Sequence, residues 1–138
     1  MPPASIDPCS LLTADEASKA IGKQLSAGVS LVADKDRECQ FKSGVTLVNL
    51  ILAPQAPDAA TAQAYWDAER AQVPAGVNVH DLSQWDRSAY GSGSFGGQSI
   101  SALFVIDGTY FFDLYCQFPA CTETSSVAAA TSITGRLP

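Results

Sequence analysis

Two apolar runs, Ser99–Ile106 and Thr109–Cys116, meet at Asp107-Gly108, and hydrophobic stretches flanking such a turn dipeptide predict a β-hairpin. The polar positions inside it argue for a register, because a slip of one residue exchanges the faces of a strand. A two-residue Asp-Gly turn sets Ile106 opposite Thr109 and puts Asp113 on a face with Ile100, Ala102, Phe104 and Phe111. A three-residue loop, Ile106-Asp107-Gly108 with Gly108 left-handed, sets Val105 opposite Thr109 instead. One face then holds Ile100, Ala102, Phe104, Tyr110, Phe112, Leu114 and Cys116 without a charge, and Asp113 lies opposite Ser101 on the other. Keeping a carboxylate out of the core selects the second register.

The remaining pattern is read from the N-terminus. Residues 1–8 form a Pro-rich, flexible arm ahead of a single domain over 9–138. Thr13 and Glu16 have the spacing of a capping box, so a helix runs to about Ile21 with Ala17, Ala20 and Ile21 inward and Gly22 closing it. A strand is predicted around Gly28–Asp34, then a strand from Arg37 to Lys42, a turn at Ser43-Gly44 and a longer strand over Val45–Ala53. That last strand is apolar on both faces, Val48, Leu50 and Leu52 on one and Val45, Leu47 and Ile51 about Asn49 on the other. It belongs inside a sheet covered on both sides. Asp58 or a neighbour caps a second helix to about Gln72, in which Ala62, Tyr65, Trp66, Glu69 and Val73 form the inward stripe and Asp67 and Arg70 point outward. Short strands at Val77–Leu82 and Arg87–Tyr90 lead to a Gly91–Gly97 loop. A last helix, Thr122–Arg136, turns Val127, Ala130, Ile133 and Leu137 inward.

Charge narrows the choice of partner. Eight basic against fourteen acidic residues give a net charge of -6, so a nucleic-acid backbone or an anionic membrane repels the chain on average. The longest apolar stretch, Val45–Ala53, is too short to span a membrane. Four cysteines in so short a chain point to two disulfides, and of the three pairings Cys9–Cys39 and Cys116–Cys121 are expected. The second pair brackets a turn-sized segment, and the first ties the arm to the first strand pair. The competing reading is four reduced thiols in a cytosolic protein. Met1–Ser5 has neither a positive start nor an apolar run. Paired cysteines therefore imply a precursor whose export signal this sequence lacks, with Met1 an added residue.

Candidate chemistry is sparse. The run Asp34-Lys35-Asp36-Arg37-Glu38 alternates carboxylates, but Cys39 stands where a calcium loop needs its Gly, so a solvated turn at the head of a hairpin is expected. No metal site is expected: there is no C-x-x-C, and His80 is the only histidine. Gly91-Ser92-Gly93-Ser94-Phe95-Gly96 matches G-x-G-x-x-G, yet a strand follows where a dinucleotide fingerprint needs a helix. No cofactor is expected. His80 and Asp81 point to opposite faces of a strand and cannot form a nucleophile-activating pair directly, and although Ser83 and Ser88 offer hydroxyls, no sequence feature supplies a strained turn or an oxyanion site. Trp66 reads as core. Trp85, by contrast, can sit at a rim with Tyr90 and Phe95, and Trp85, Asp86, Arg87, Tyr90, Phe95 and His80 form the candidate contact set for a ligand or partner.

Asp7-Pro8-Cys9-Ser10-Leu11-Leu12-Thr13-Ala14-Asp15-Glu16-Ala17, the helix end Ala20-Ile21-Gly22 and the strand Cys39-Gln40-Phe41 resemble a family of actinobacterial cell-envelope lipoproteins of uncharacterised function. So do Trp85-Asp86-Arg87-Ser88-Ala89-Tyr90 and Val105-Ile106-Asp107-Gly108-Thr109-Tyr110-Phe111, so that the likeness spans most of the chain in order. The resemblance implies a lipid tether in the precursor, a Cys9–Cys39 disulfide and an antiparallel sheet flanked by helices, similar to the extrinsic photosystem protein PsbP. It carries over no catalytic residue.

The expected fold class is therefore α+β, a mainly antiparallel sheet flanked by about three helices. The expected function is that of an exported, monomeric, non-catalytic binding module whose ligand is a small molecule or a protein. A small extracytoplasmic hydrolase using His80 or scattered carboxylates is the first alternative. The second is an inhibitor that presents a flat patch of Trp85, Tyr90 and Phe95.

Overall fold

The capping box forms. Thr13 Oγ1 accepts the Glu16 N–H at 3.1 Å and the Glu16 carboxylate accepts the Thr13 N–H at 3.0 Å, which opens helix α1 (Ala14–Ile21). Gly22, at φ 76°, takes the left-handed position that ends it. The computed structural model describes residues 6–33 and 36–138, so Met1–Ser5 of the arm and the Asp34-Lys35 part of the acidic run lie outside the described residues. The arm is fixed earlier than expected. Asp7 Oδ1 accepts hydrogen bonds from Cys9 N and Ser30 Oγ, a 3-10 turn runs over Pro8–Ser10, and Pro8 is buried.

Seven strands follow: β1 (Val29–Ala33), β2 (Asp36–Ser43), β3 (Thr46–Leu52), β4 (Val77–Leu82), β5 (Arg87–Phe95), β6 (Gln98–Asp107) and β7 (Tyr110–Gln117). They form one antiparallel sheet in the order β1-β2-β3-β7-β6-β5-β4. Helix α2 (Ala59–Arg70), capped by Asp58 Oδ1 on the Thr61 N–H at 2.8 Å, covers one face; α1 and α3 (Glu123–Arg136) cover the other. The α+β class and three flanking helices hold. As its two apolar faces require, β3 lies between β2 and β7. Both expected disulfides are present, Cys9–Cys39 and Cys116–Cys121, with Cα atoms 5.1 and 5.6 Å apart.

Three expectations are corrected. First, the acidic run is not turn throughout: Asp36–Glu38 belongs to β2, where all three residues pair with β1 and Arg37 and Glu38 pair with β3 as well. Second, Gly91–Phe95 is strand rather than loop, and the turn is confined to Gly96-Gly97, at φ 60° and 81°. The glycines serve packing, because a Cβ on Gly91 would stand 2.6 Å from Val79 Cγ2 and one on Gly93 would run into the Gly76 carbonyl.

Third, neither hairpin register considered from the sequence is formed. Asp107 pairs with Tyr110 across Gly108-Thr109, so Ile106 faces Phe111 and Phe104 faces Asp113. Gly108 has φ 63°, and its N–H donates to Asp86 Oδ2 at 2.6 Å, an anchor lying 22 residues away. The sides follow from this turn. Leu103, Val105, Phe112, Leu114 and Cys116 join the α1/α3 core, while Phe104, Ile106 and Phe111 pack under Trp66 of α2. Asp113 shares the second face and is buried, the outcome the sequence argument sought to avoid. Aromatic packing decides it. Trp66 meets Phe104 and Phe111 edge-on at 6.1 and 6.3 Å, and each buried Phe is worth roughly 1.5–3 kcal/mol. A carboxyl group, moreover, escapes most of its desolvation cost by keeping its proton.

Candidate functional site

The buried acid lies in a wall. On the α2 face, Asp113 of β7 has Phe104 on one side and Ile51 on the other, with Glu38 one strand further out. The end of α2 and the segment after it, Gln72–Pro74, roof this part of the sheet. A cavity of about 170 Å³ opens there between Glu69, Val73, Ala102, Phe104, Asp113 and Tyr115.

Asp113 is only 7% exposed, and its Oδ1 has no hydrogen-bond partner. Burial pushes its carboxyl well above the usual aspartate range, and the nearby carboxylates of Glu69 and Glu38 add to the effect. Glu69 is raised too, by burial first and then by Asp36 and Glu38. Burial also raises Tyr115, with the charge of Asp113 as the lesser cause. Glu38 accepts from Asn49 Nδ2 at 2.8 Å and from Gln40 Nε2 at 3.4 Å, forming a polar shelf beside the cavity. Arg70 and Arg87 are held away from Asp113 and Glu69. Arg87 stacks on the Trp66 ring at 4.5 Å, and Arg70 lies 5.7 Å from the same ring and 3.6 Å from Asp81.

The contact set expected from the sequence is not gathered in one place. Trp85 is half-buried on the α3 side, where its Nε1 donates to Thr134 Oγ1 at 3.2 Å, while Tyr90 is buried and donates its hydroxyl to Cys121 O at 2.5 Å. Phe95 is 61% exposed at the far end of β5, Asp86 holds the Gly108 turn, and Arg87 is on the opposite face against Trp66. The flat patch of Trp85, Tyr90 and Phe95 is therefore not formed: the first two belong to the core and only the third is open. His80 has a side chain 59% exposed, with Nε2 2.6 Å from Glu123 Oε1 and its ring edge-on to Tyr90 at 6.0 Å. Ser88 Oγ is taken up by a hydrogen bond to Gln84 O at 2.8 Å.

Sequence reasoning placed Glu69 on the inward stripe of α2 but missed its meeting with Asp113. The available signal was the charge itself: an Asp in Tyr110-Phe111-Phe112-Asp113-Leu114-Tyr115, a strand apolar on both sides, has no polar face to occupy. Among the described residues no group of three His, Cys, Asp or Glu is placed to hold a metal ion, and no helix is long and apolar enough to cross a membrane. Compared with known proteins, the chain matches no family model, no curated protein and no solved structure.

Proposed function

We propose that the chain is an exported, non-catalytic binding module of the cell envelope, whose ligand enters the α2-face cavity. One observation carries the reading: a nine-tenths buried carboxyl with an unpartnered oxygen stands in the wall of a mostly apolar cavity. Membership of the lipoprotein family that the sequence resembles, and a PsbP-like arrangement of the sheet, are part of the same proposal. The two disulfides support an extracytoplasmic location, because such bonds persist in oxidising compartments. A hydrolase at this site has less support. Acid and base in a two-carboxylate mechanism are pushed apart in pKa, whereas Asp113 and Glu69 are both shifted upward.

The test is a titration of the 15N-labelled, oxidised chain with benzyl alcohol, a neutral probe of cavity size. Amide shifts concentrated at Gln72, Val73, Ala102 and Tyr115 are expected. No saturable shift, or shifts centred on Phe95 or His80, would contradict this site.

A further inference from the structure

We propose that the cavity takes a small organic ammonium ion, its apolar body against Val73, Ala102 and Phe104 and its N–H groups toward Asp113 and Glu69. The inference rests on the binding-module reading and names the ligand class for that site. Size comes first. At about 170 Å³ the space is close to the roughly 150 Å³ engineered cavity that holds benzene, so the ligand has one small ring or a short alkyl chain.

Charge comes second. Glu69 and Asp113 are the charged side chains on the cavity wall, and both are acids. The groups around them have the same sign. From β2 come Glu38 and Asp36, from α2 Glu69, and from β7 the neutral Tyr115; β3 and β6 turn Asn49, Ile51, Ala102 and Phe104 to this face. Arg70 and Arg87 on this face are engaged on Trp66 and Asp81, Lys42 lies at the exposed end of β2, and none of the three lines the cavity. An anion would meet two acids of its own sign, and a neutral guest could at most donate to the Asp113 carboxyl without bringing it a charge. An ammonium ion supplies both the donor and the missing charge.

Binding has a proton balance. In the empty site burial favours the protonated Asp113 carboxyl. When the ammonium ion enters, the Asp113 O–H bond breaks, its electron pair stays on the carboxylate and the proton passes to buffer. One cation is thus exchanged for another. Affinity should rise by up to about tenfold per pH unit while the free protein holds that proton.

The experiment is isothermal titration of the oxidised full chain with benzylammonium, benzyl alcohol and benzoate, repeated for Asp113→Asn and Glu69→Gln. Benzylammonium should bind at least about tenfold more tightly than benzyl alcohol, with benzoate weakest, and its heat should vary with buffer as one released proton requires. In Asp113→Asn the preference should fall to about one while benzyl alcohol still binds, which shows that the cavity is folded; Glu69→Gln should reduce it part of the way. Equal affinity for the three probes, or a preference that survives Asp113→Asn, overturns the ammonium assignment and leaves the cavity as a neutral binding site. No binding of any probe overturns both readings.

Discussion

Replacing Asp113 by Asn removes the ionisable group and keeps the shape, so it isolates the cost of burying this carboxyl. In the unfolded chain the group ionises near 3.8, whereas in the folded protein its pKa is raised by burial, then by Glu69 and Glu38. A raised folded-state pKa makes the native state bind the extra proton. Stability is then fully present below 3.8 and falls as pH rises toward the folded-state value, by about 1.4 kcal/mol for each pH unit. The Asn side chain has no such slope, but its amide N–H groups need acceptors in the wall, a cost of about 1–3 kcal/mol. The variant should therefore be the less stable protein at about pH 4, and its curve should cross that of the parent roughly one to two units higher. Glu69 contributes a slope of the same sign to both proteins, which cancels in the difference apart from its coupling to Asp113. Urea unfolding followed by fluorescence of Trp66, which sits against Phe104 and Phe111, reads the effect directly. A difference between the two proteins that does not change from about pH 4 to about pH 8 would refute the buried neutral acid.

The opposite sign is expected at Glu16. Its carboxylate is held down to about 2, first by the hydrogen bond from Arg136, so its stabilisation is complete above the ordinary 4.5 and is lost as pH falls toward about 2. Because both partners are partly exposed, roughly 1 kcal/mol is expected, and it should be absent in Glu16→Gln during acid unfolding. Intact mass without reductant should show no free thiol. Replacing Cys9 and Cys39 together by Ala should lower stability in urea by about 2–4 kcal/mol, since the bond spans 30 residues. Gly93→Ala should cost about 1–3 kcal/mol in the same assay because its methyl group meets the Gly76 backbone. Gly135→Ala, in α3 with nothing within 4 Å of the added Cβ, should stabilise by about 0.5–1 kcal/mol.

Local physics was legible in the sequence. Thr13 and Glu16 announce a helix start with two reciprocal hydrogen bonds, β3 declares an interior position by being apolar on both faces, and Trp66 belongs to a helical stripe that buries it. What escaped depends on residues far apart. The Gly108-Thr109 turn is chosen with the help of Asp86, and Gly91 and Gly93 become strand because β4 and Gly76 approach them closely. The site was hidden for a related reason. Asp113 was assigned outward on the rule that charges avoid cores, but that rule concerns the ionised form, and whether an acid ionises is set by its surroundings. Glu69, which lies 44 positions earlier in the chain, is one of those surroundings.

The most direct measurement is the side-chain carboxyl 13C shift of Asp113 as a function of pH, with and without benzylammonium. The free protein should keep this carbon in the protonated range at pH values where an ordinary aspartate has already ionised, and the ligand should move it to the ionised range. Ionisation of Asp113 near 3.8 in the free protein, with no response to the cation, would contradict both the buried proton and the site built on it.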